Sequence, residues 1–249
     1  MPTILSFSQG NFAANRIGVR APLISQMPGL KVWWFPRLSL AQSPNQAPGG
    51  ATLSLAGSGQ VFQPTYLQMP GSSTQTVSVE TGIAQESNFT LMMVARTVAT
   101  AHFSSMFYCQ ASGPSSGAMF YLYNVGSQIA SSVTGPQSGT PPVMQLTAGA
   151  AQNWGFYALR CQNGVGVRQF AKTDGNKTAD TLSAIAPTLS PTPWRMGMGL
   201  FSALDNAALD IAFAGIVSGP TAGSALSDTL VEQCFQSVKY SLSFDNMAI

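Results

Sequence analysis

Residues 154–172, Trp-Gly-Phe-Tyr-Ala-Leu-Arg-Cys-Gln-Asn-Gly-Val-Gly-Val-Arg-Gln-Phe-Ala-Lys, read as two strands folded back on one turn. Over Trp154–Gln162, the residues Trp154, Phe156, Ala158 and Arg160 alternate with Tyr157, Leu159 and Cys161. That is the period of a strand with two distinct faces. Asn163-Gly164 follows at once. Both residues accept positive φ, which a two-residue hairpin turn requires. Val165–Lys172 then returns as the partner strand, and Asp174-Gly175-Asn176 marks the next turn. The stretch predicts an antiparallel all-β chain.

The same grammar extends in both directions. Lys31–Phe35 is apolar and aromatic and is stopped by Pro36; Ala51–Leu55, Gln60–Gln63 and Thr76–Val79 are short strand-like runs between turns. Phe89–Val98 is longer, with Phe89, Leu91, Met93, Ala95 and Thr97 on one face. Ser105–Gln110 and Met119–Tyr123 read as an aromatic-rich pair joined at Ser112–Gly117, whereas Ser131–Gly149 is polar and rich in Pro and Gly and reads as an exposed loop. Trp194–Phe201 and Ala207–Ser218 are two more strands. Between Ser224 and Tyr240 the period changes: Leu230, Val231, Cys234, Phe235 and Val238 recur at helical spacing, with Ser227 or the Thr229-x-x-Glu232 box available to cap the start. About ten short strands and one helix near the C-terminal end predict an antiparallel β-sandwich or barrel.

Residues 1–28 differ from the rest. They carry Pro2, Gly10, Gly18, Pro22 and Pro28, the two cations Arg16 and Arg20, no acid and no sustained period. They fit either an edge strand and loop of the same domain or an extended arm that docks on a partner or a neighbouring subunit. On the second reading the chain divides into an arm at 1–28 and a sandwich at 29–249.

Composition narrows the function. The chain has 249 residues with 11 Lys or Arg against 9 Asp or Glu, 8% charged, where roughly 25% is ordinary. Ser, Thr, Gln and Asn fill the gap with 29, 19, 18 and 10 copies. A net charge of +2 with no basic run leaves no footprint for nucleic acid. No apolar run is long enough to insert in a membrane, and the start lacks the basic and apolar regions of a signal peptide. Three cysteines, Cys109, Cys161 and Cys234, are too few and too far apart for a zinc site, and read as buried thiols; a Cys109–Cys161 bridge between neighbouring strands is the alternative. His102 is the only histidine, which excludes a two-histidine metal site; nothing near it in sequence completes a Ser-His-Asp set, and it reads as a structural or solvated residue.

From Leu30 to Leu242 the order of elements resembles the concanavalin A-like jelly roll of laminin-G and lectin-type domains. The pieces are Val32-Trp33-Trp34-Phe35, Leu67-x-x-Pro70-Gly71, the Asn88-Phe89-Thr90-Leu91 strand, the hairpin at Asn163-Gly164, Met196-Gly197, and Phe213-Ala214-Gly215-Ile216 ahead of Leu226-Ser227-Asp228. The scarcity of charge and the abundance of Ser, Thr, Gln, Ala and Gly resemble a bacteriophage virion component of tail-fibre, receptor-binding or decoration type. Such a protein would be made in the host cytoplasm and end up in the virion.

These resemblances imply specific chemistry to look for. Glycoside hydrolases of this fold need two carboxylates facing each other across the scissile bond. Here no Glu-x-Asp or Asp-x-Glu occurs, and Asp205 and Asp210 are an odd number of residues apart, on opposite faces of a strand. A non-enzymatic role is therefore expected, with hydrolysis a lesser reading. Lectin-like relatives often hold calcium at the rim of the sandwich, which needs several oxygen ligands. Asp174, Asn176 and Asp180 are the main candidates, with Asp205 and Asn206 a second pair; hydrated turn residues are the plainer reading.

What remains is sugar binding by aromatic faces, amides and hydroxyls. Tyr108, Tyr121, Tyr123, Asn124, Trp154 and Trp194 are the candidates, each of which a sandwich core would also use. Trp33 and Trp34 must point to opposite faces, so one falls outside the main core; Trp34, Arg16 and Arg20 are the assembly candidates. The expectation is a virion protein whose sandwich binds a host-surface polysaccharide and whose arm docks on other virion proteins. A homo-oligomer, by resemblance a trimer, is expected. A decoration or adaptor protein without a glycan ligand is the alternative.

Overall fold

The computed structural model describes residues 27–71, 77–97, 103–109, 116–123, 128–133, 143–147, 152–173, 176–180, 185–197 and 208–249. They form two antiparallel sheets. The strands are β1 Leu30–Trp34, β2 Ser54–Ala56, β3 Val61–Phe62, β4 Leu67–Met69, β5 Ser78–Glu80, β6 Asn88–Thr97, β7 Phe103–Tyr108, β8 Ala118–Tyr123, β9 Gln128–Val133, β10 Val143–Thr147, β11 Gly155–Gln162, β12 Gly166–Lys172, β13 Asn176–Asp180, β14 Arg195–Gly197 and β15 Leu209–Gly219. One sheet runs β13-β12-β11-β6-β15-β4-β3, with β1 also on β15; the other runs β10-β9-β8-β7-β14-β5-β2. The all-β sandwich expected from the sequence is the fold.

The hairpin at 154–172 forms, with pairs from Phe156↔Lys172 to Gln162↔Gly166, but its loop is residues 163–165 and not the two-residue turn expected: Gly164 takes φ 73, Asn163 takes no positive φ, and the Val165 N–H donates to the Gln162 carbonyl at 3.0 Å. Strand β11 also pairs with β6, Leu159 opposite Leu91, and β6 pairs with β15 along its length. Alternation then sorts the side chains. Phe89, Leu91, Met93, Tyr157, Leu159 and Cys161 enter the core between the sheets, where Phe107, Phe120, Leu122 and Met196 meet them from the second sheet.

The opposite face of the first sheet is also buried. Helix α1, Asp228–Ser243, lies across it and forms a second core from Val231, Cys234, Phe235 and Val238 against Trp33, Met92, Val94, Phe156 and Phe213. Ser227 caps the helix by accepting from the Leu230 N–H at 3.3 Å. Asp228 accepts from both Arg160 (2.8 Å) and Arg168 (3.1 Å), and Lys172 pairs with Glu232. A bulge between Ile211 and Phe213 turns Ala212 and Phe213 together toward the helix while Ile211 and Ala214 stay in the first core.

Three expectations change. Residues 131–149, read as a loop, contain the end of β9 and all of β10, a paired edge of the second sheet; their polar Ser and Gln residues suit an edge strand as well as a loop. Strand β13 follows the expected turn at 174–176 and was not foreseen: it starts at Asn176 and pairs antiparallel with β12 from Lys172↔Asn176 to Arg168↔Asp180, so the chain reverses between 172 and 176. Met27 and Pro28, the end of the expected arm, pack onto the sandwich: Met27 Sδ lies 3.6 Å from Cys234 Sγ, and Ser224 donates to the Pro28 carbonyl at 3.1 Å. Arg16, Arg20 and the rest of 1–26 lie outside the described residues.

Candidate functional site

The aromatic candidates fall into separate places. Trp194 is fully buried between the sheets, packed edge-on against Phe89 at 5.2 Å between ring centroids. Tyr108 (3% exposed) and Tyr121 (9%) share a small cluster with Met119 and Ala130, held together by the register Tyr108↔Met119 and Tyr121↔Ala130. Burial raises the Tyr108 phenol above its ordinary pKa, with Arg195 nearby opposing. These three aromatics are packing residues, a correction to their reading as a sugar platform. Tyr123 ends β8, and Asn124 and the side chain of Tyr123 lie outside what is described. Trp34 is also corrected: it is fully buried in the first core, its indole N–H donating to the Ser43 carbonyl at 2.7 Å. A ring so enclosed offers no docking surface.

Of the oxygen ligands proposed for calcium, Asp174, Asp205 and Asn206 lie outside the described residues, and Asn176 and Asp180 are the first and last residues of β13. Their α-carbons are four residues apart along an extended strand, roughly 13 Å. Among the described residues no three His, Cys, Asp or Glu side chains gather in one place. The three cysteines are unbridged and buried, and burial pushes each thiol up to about 12.

Among the described sugar candidates, Trp154 is the one that is partly exposed in a setting with chemistry. It precedes β11 and lies beside Arg96 of β6, whose guanidinium sits 4.6 Å from the centre of the indole ring. Tyr66, just before β4, meets Trp154 edge-on at 5.5 Å, and Arg96 is 5.5 Å from the tyrosine ring as well. Asp210 is the cross-strand partner of Arg96 on one side and of Gln68 on the other, and its Oδ2 accepts from Arg96 Nε at 2.8 Å. Asp210 is 1% exposed, Arg96 34%. Burial raises the Asp210 carboxyl above its ordinary range, and the Arg96 hydrogen bond and charge only partly offset it. Its second oxygen, Oδ1, is buried with no hydrogen-bond partner.

Four segments remote in sequence thus converge on the helix-side face of the first sheet, where β6 ends and β11 and β15 begin. Tyr66 and Arg96 were missed by sequence reading. A signal existed: Arg96 and Asp210 are lone charges in the two longest apolar strands, and opposite lone charges in such strands must find each other or face water. A separate cavity of about 590 Å3 lies between residues 40–45 and 50–53. Its chief polar side chain, Asn45, is already engaged with the backbone of Trp33, Ala47, Lys31 and Ala51, so it braces the loop.

No family model and no curated protein matches the sequence. The fold is nevertheless a recognisable class, a jelly-roll-like β-sandwich found in toxin binding domains. The binding domain of botulinum neurotoxin DC in complex with SialylT superposes with a TM-score of 0.60 at 12% identity, covering 85% of this chain and 52% of that one. Botulinum neurotoxin type C, described as interacting with two ganglioside molecules, gives 0.60 at 12% identity over 88% and 53%. The serotype G binding domain gives 0.59 at 11% over 84% and 51%. The chain therefore spans about half the length of these domains, and the likeness is one of fold.

Proposed function

We propose that this protein is a non-enzymatic carbohydrate-binding sandwich that serves as a bacteriophage virion component of tail-fibre or receptor-binding type. The observation that carries the sugar-binding part is the partly exposed Tyr66–Trp154 pair set beside a buried carboxylate and an arginine that is a third exposed. Aromatic surface next to hydrogen-bonding groups of both polarities is what a saccharide needs, since it offers apolar C–H faces and hydroxyls that donate and accept. The toxin binding domains of the same fold, one in complex with SialylT and one described as interacting with gangliosides, support the choice of ligand.

The virion part rests on composition. A chain only 8% charged and rich in hydroxyl and amide groups would pack against repeated neighbours without desolvating many ions. Residues 1–26, with Arg16 and Arg20, would dock on other virion proteins or on sister subunits of a homo-oligomer, a trimer by analogy with fibre proteins. Calcium at Asp174, Asn176 and Asp180 stays a secondary proposal, tested by adding and chelating the ion.

The burial of Tyr108, Tyr121 and Trp194 favours a second reading, a structural adaptor or decoration protein with no glycan ligand. Binding of the purified, reduced protein to a broad panel of bacterial surface glycans separates the two. Saturable binding that is lost in Trp154→Ala supports the first; no binding by folded protein supports the second.

A further inference from the structure

We infer that the Tyr66–Arg96–Trp154–Asp210 cluster takes a neutral, hydroxyl-rich sugar rather than an acidic one. This rests on the sugar-binding reading and names its ligand class. The charges of the cluster are matched one to one: Arg96 donates Nε to Asp210 Oδ2 at 2.8 Å, and the other cross-strand neighbour of Asp210 is the uncharged Gln68. Among the described residues of the cluster, Arg96 is the one cation, and it is already committed to Asp210.

The unmet need in the cluster is for a donor. Asp210 is 1% exposed, and its Oδ1 has no hydrogen bond. Buried acceptors of this kind are rarely left unpaired. A carboxylate or sulfate on the ligand would set a second anionic acceptor against Oδ1. A hydroxyl instead donates to Oδ1 and accepts from the remaining guanidinium N–H groups of Arg96, so a vicinal diol answers both residues at once. Because Asp210 is 1% exposed, a ligand hydroxyl reaches Oδ1 only if a covering side chain gives way, and Arg96, a third exposed, is its bonded neighbour; the exposed parts of Tyr66 and Trp154 would meet the apolar face of the sugar ring.

The test is calorimetric titration of the full chain with neutral hexose oligosaccharides and with sialylated forms of the same oligosaccharides, at low and physiological salt. Wild type should bind the neutral set with little salt dependence. Asp210→Asn leaves Arg96 unmatched, so it should weaken neutral ligands about tenfold and strengthen sialylated ones about tenfold. A merely unfolded variant cannot gain affinity, and if Asp210→Asn does not fold, Arg96→Gln should weaken both sets, the sialylated more. Preference of wild type for sialylated ligands, or an equal loss of both sets in Asp210→Asn, overturns the inference while leaving sugar binding in place. Binding of neither set by protein with a native melting transition overturns both.

Discussion

Trp33 and Trp34 are consecutive residues of one strand, each with 0% exposure, and they lie in two different hydrophobic cores. Trp34 enters the space between the sheets, and Trp33 enters the space beneath the helix, its ring 4.8 Å from Phe213 at a steep angle. A single strand therefore joins three layers: helix, first sheet, second sheet. The pair also differs in hydrogen bonding. The Trp34 indole N–H donates to the Ser43 carbonyl, whereas the Trp33 indole N–H has no acceptor.

Truncating either ring should be costly. Trp33→Ala and Trp34→Ala should each lower stability by about 3–5 kcal/mol. Trp34→Phe should cost about 1 kcal/mol more than Trp33→Phe, because only the former breaks a buried hydrogen bond. Urea midpoints at constant m-value check both. Equal losses for the two Phe variants would contradict the assignment of the hydrogen bond.

The helix should be separable from the sandwich by mutation. Ser227→Ala removes the cap and should cost about 1 kcal/mol. Phe235→Ala, which takes away the ring packed on Phe156 at 5.5 Å, should cost about 3–5 kcal/mol and increase binding of a hydrophobic dye. Dye fluorescence and far-UV circular dichroism during urea unfolding read the two effects.

The thiols should be silent in the native state. Cys109, Cys161 and Cys234 are fully buried and held up to about 12, so at mildly alkaline pH they are protonated and enclosed. Native protein should react with none of its three thiols on the timescale of a free cysteine, and unfolded protein with all three, without reductant. Mass spectrometry after alkylation counts them.

Two carboxyls should shape the acid side of the stability curve in opposite senses. Burial raises Asp210 above its ordinary 3.8, so its proton is held more tightly in the folded chain. Its contribution to stability therefore falls as pH rises from 3.8 through the folded pKa, and levels off above it. Glu232 is lowered from 4.5 by hydrogen bonds from Lys172 and Gln236, so its stabilisation is complete above 4.5 and is lost as pH falls through the folded pKa. Relative to wild type, Asp210→Asn should gain stability with rising pH over its window, and Glu232→Gln should lose it. Being largely exposed, Glu232 should show the smaller effect.

Local chemistry was readable without a structure. The two faces of β11, the alternation of β6 and the helical period after Leu230 each depend on backbone geometry within a few residues, and each formed as expected; the chain also reverses at Asn163-Gly164, but through three residues where two were expected. Period 2 separates Trp33 from Trp34, but it says nothing of what covers each face. One tryptophan does fall outside the main core, but it is Trp33, and the helix, contributed from nearly 200 residues further along the chain, covers it; Trp34, the assembly candidate, lies between the sheets. The edge strand β10 was obscured for a related reason: an edge needs few apolar side chains, and its polar sequence is shared with loops.

Of the candidate site the sequence offered Trp154 and the lone charges Arg96 and Asp210; their gathering belongs to the tertiary level. Tyr66, Arg96, Trp154 and Asp210 come from four separate segments, and each has an ordinary reading in its own neighbourhood. What unites them is the order β11-β6-β15-β4 within the first sheet and the register that sets Arg96 opposite Asp210. That order arises from the burial of both sheet faces over long sequence separations, a cooperative quantity that no short window of residues contains.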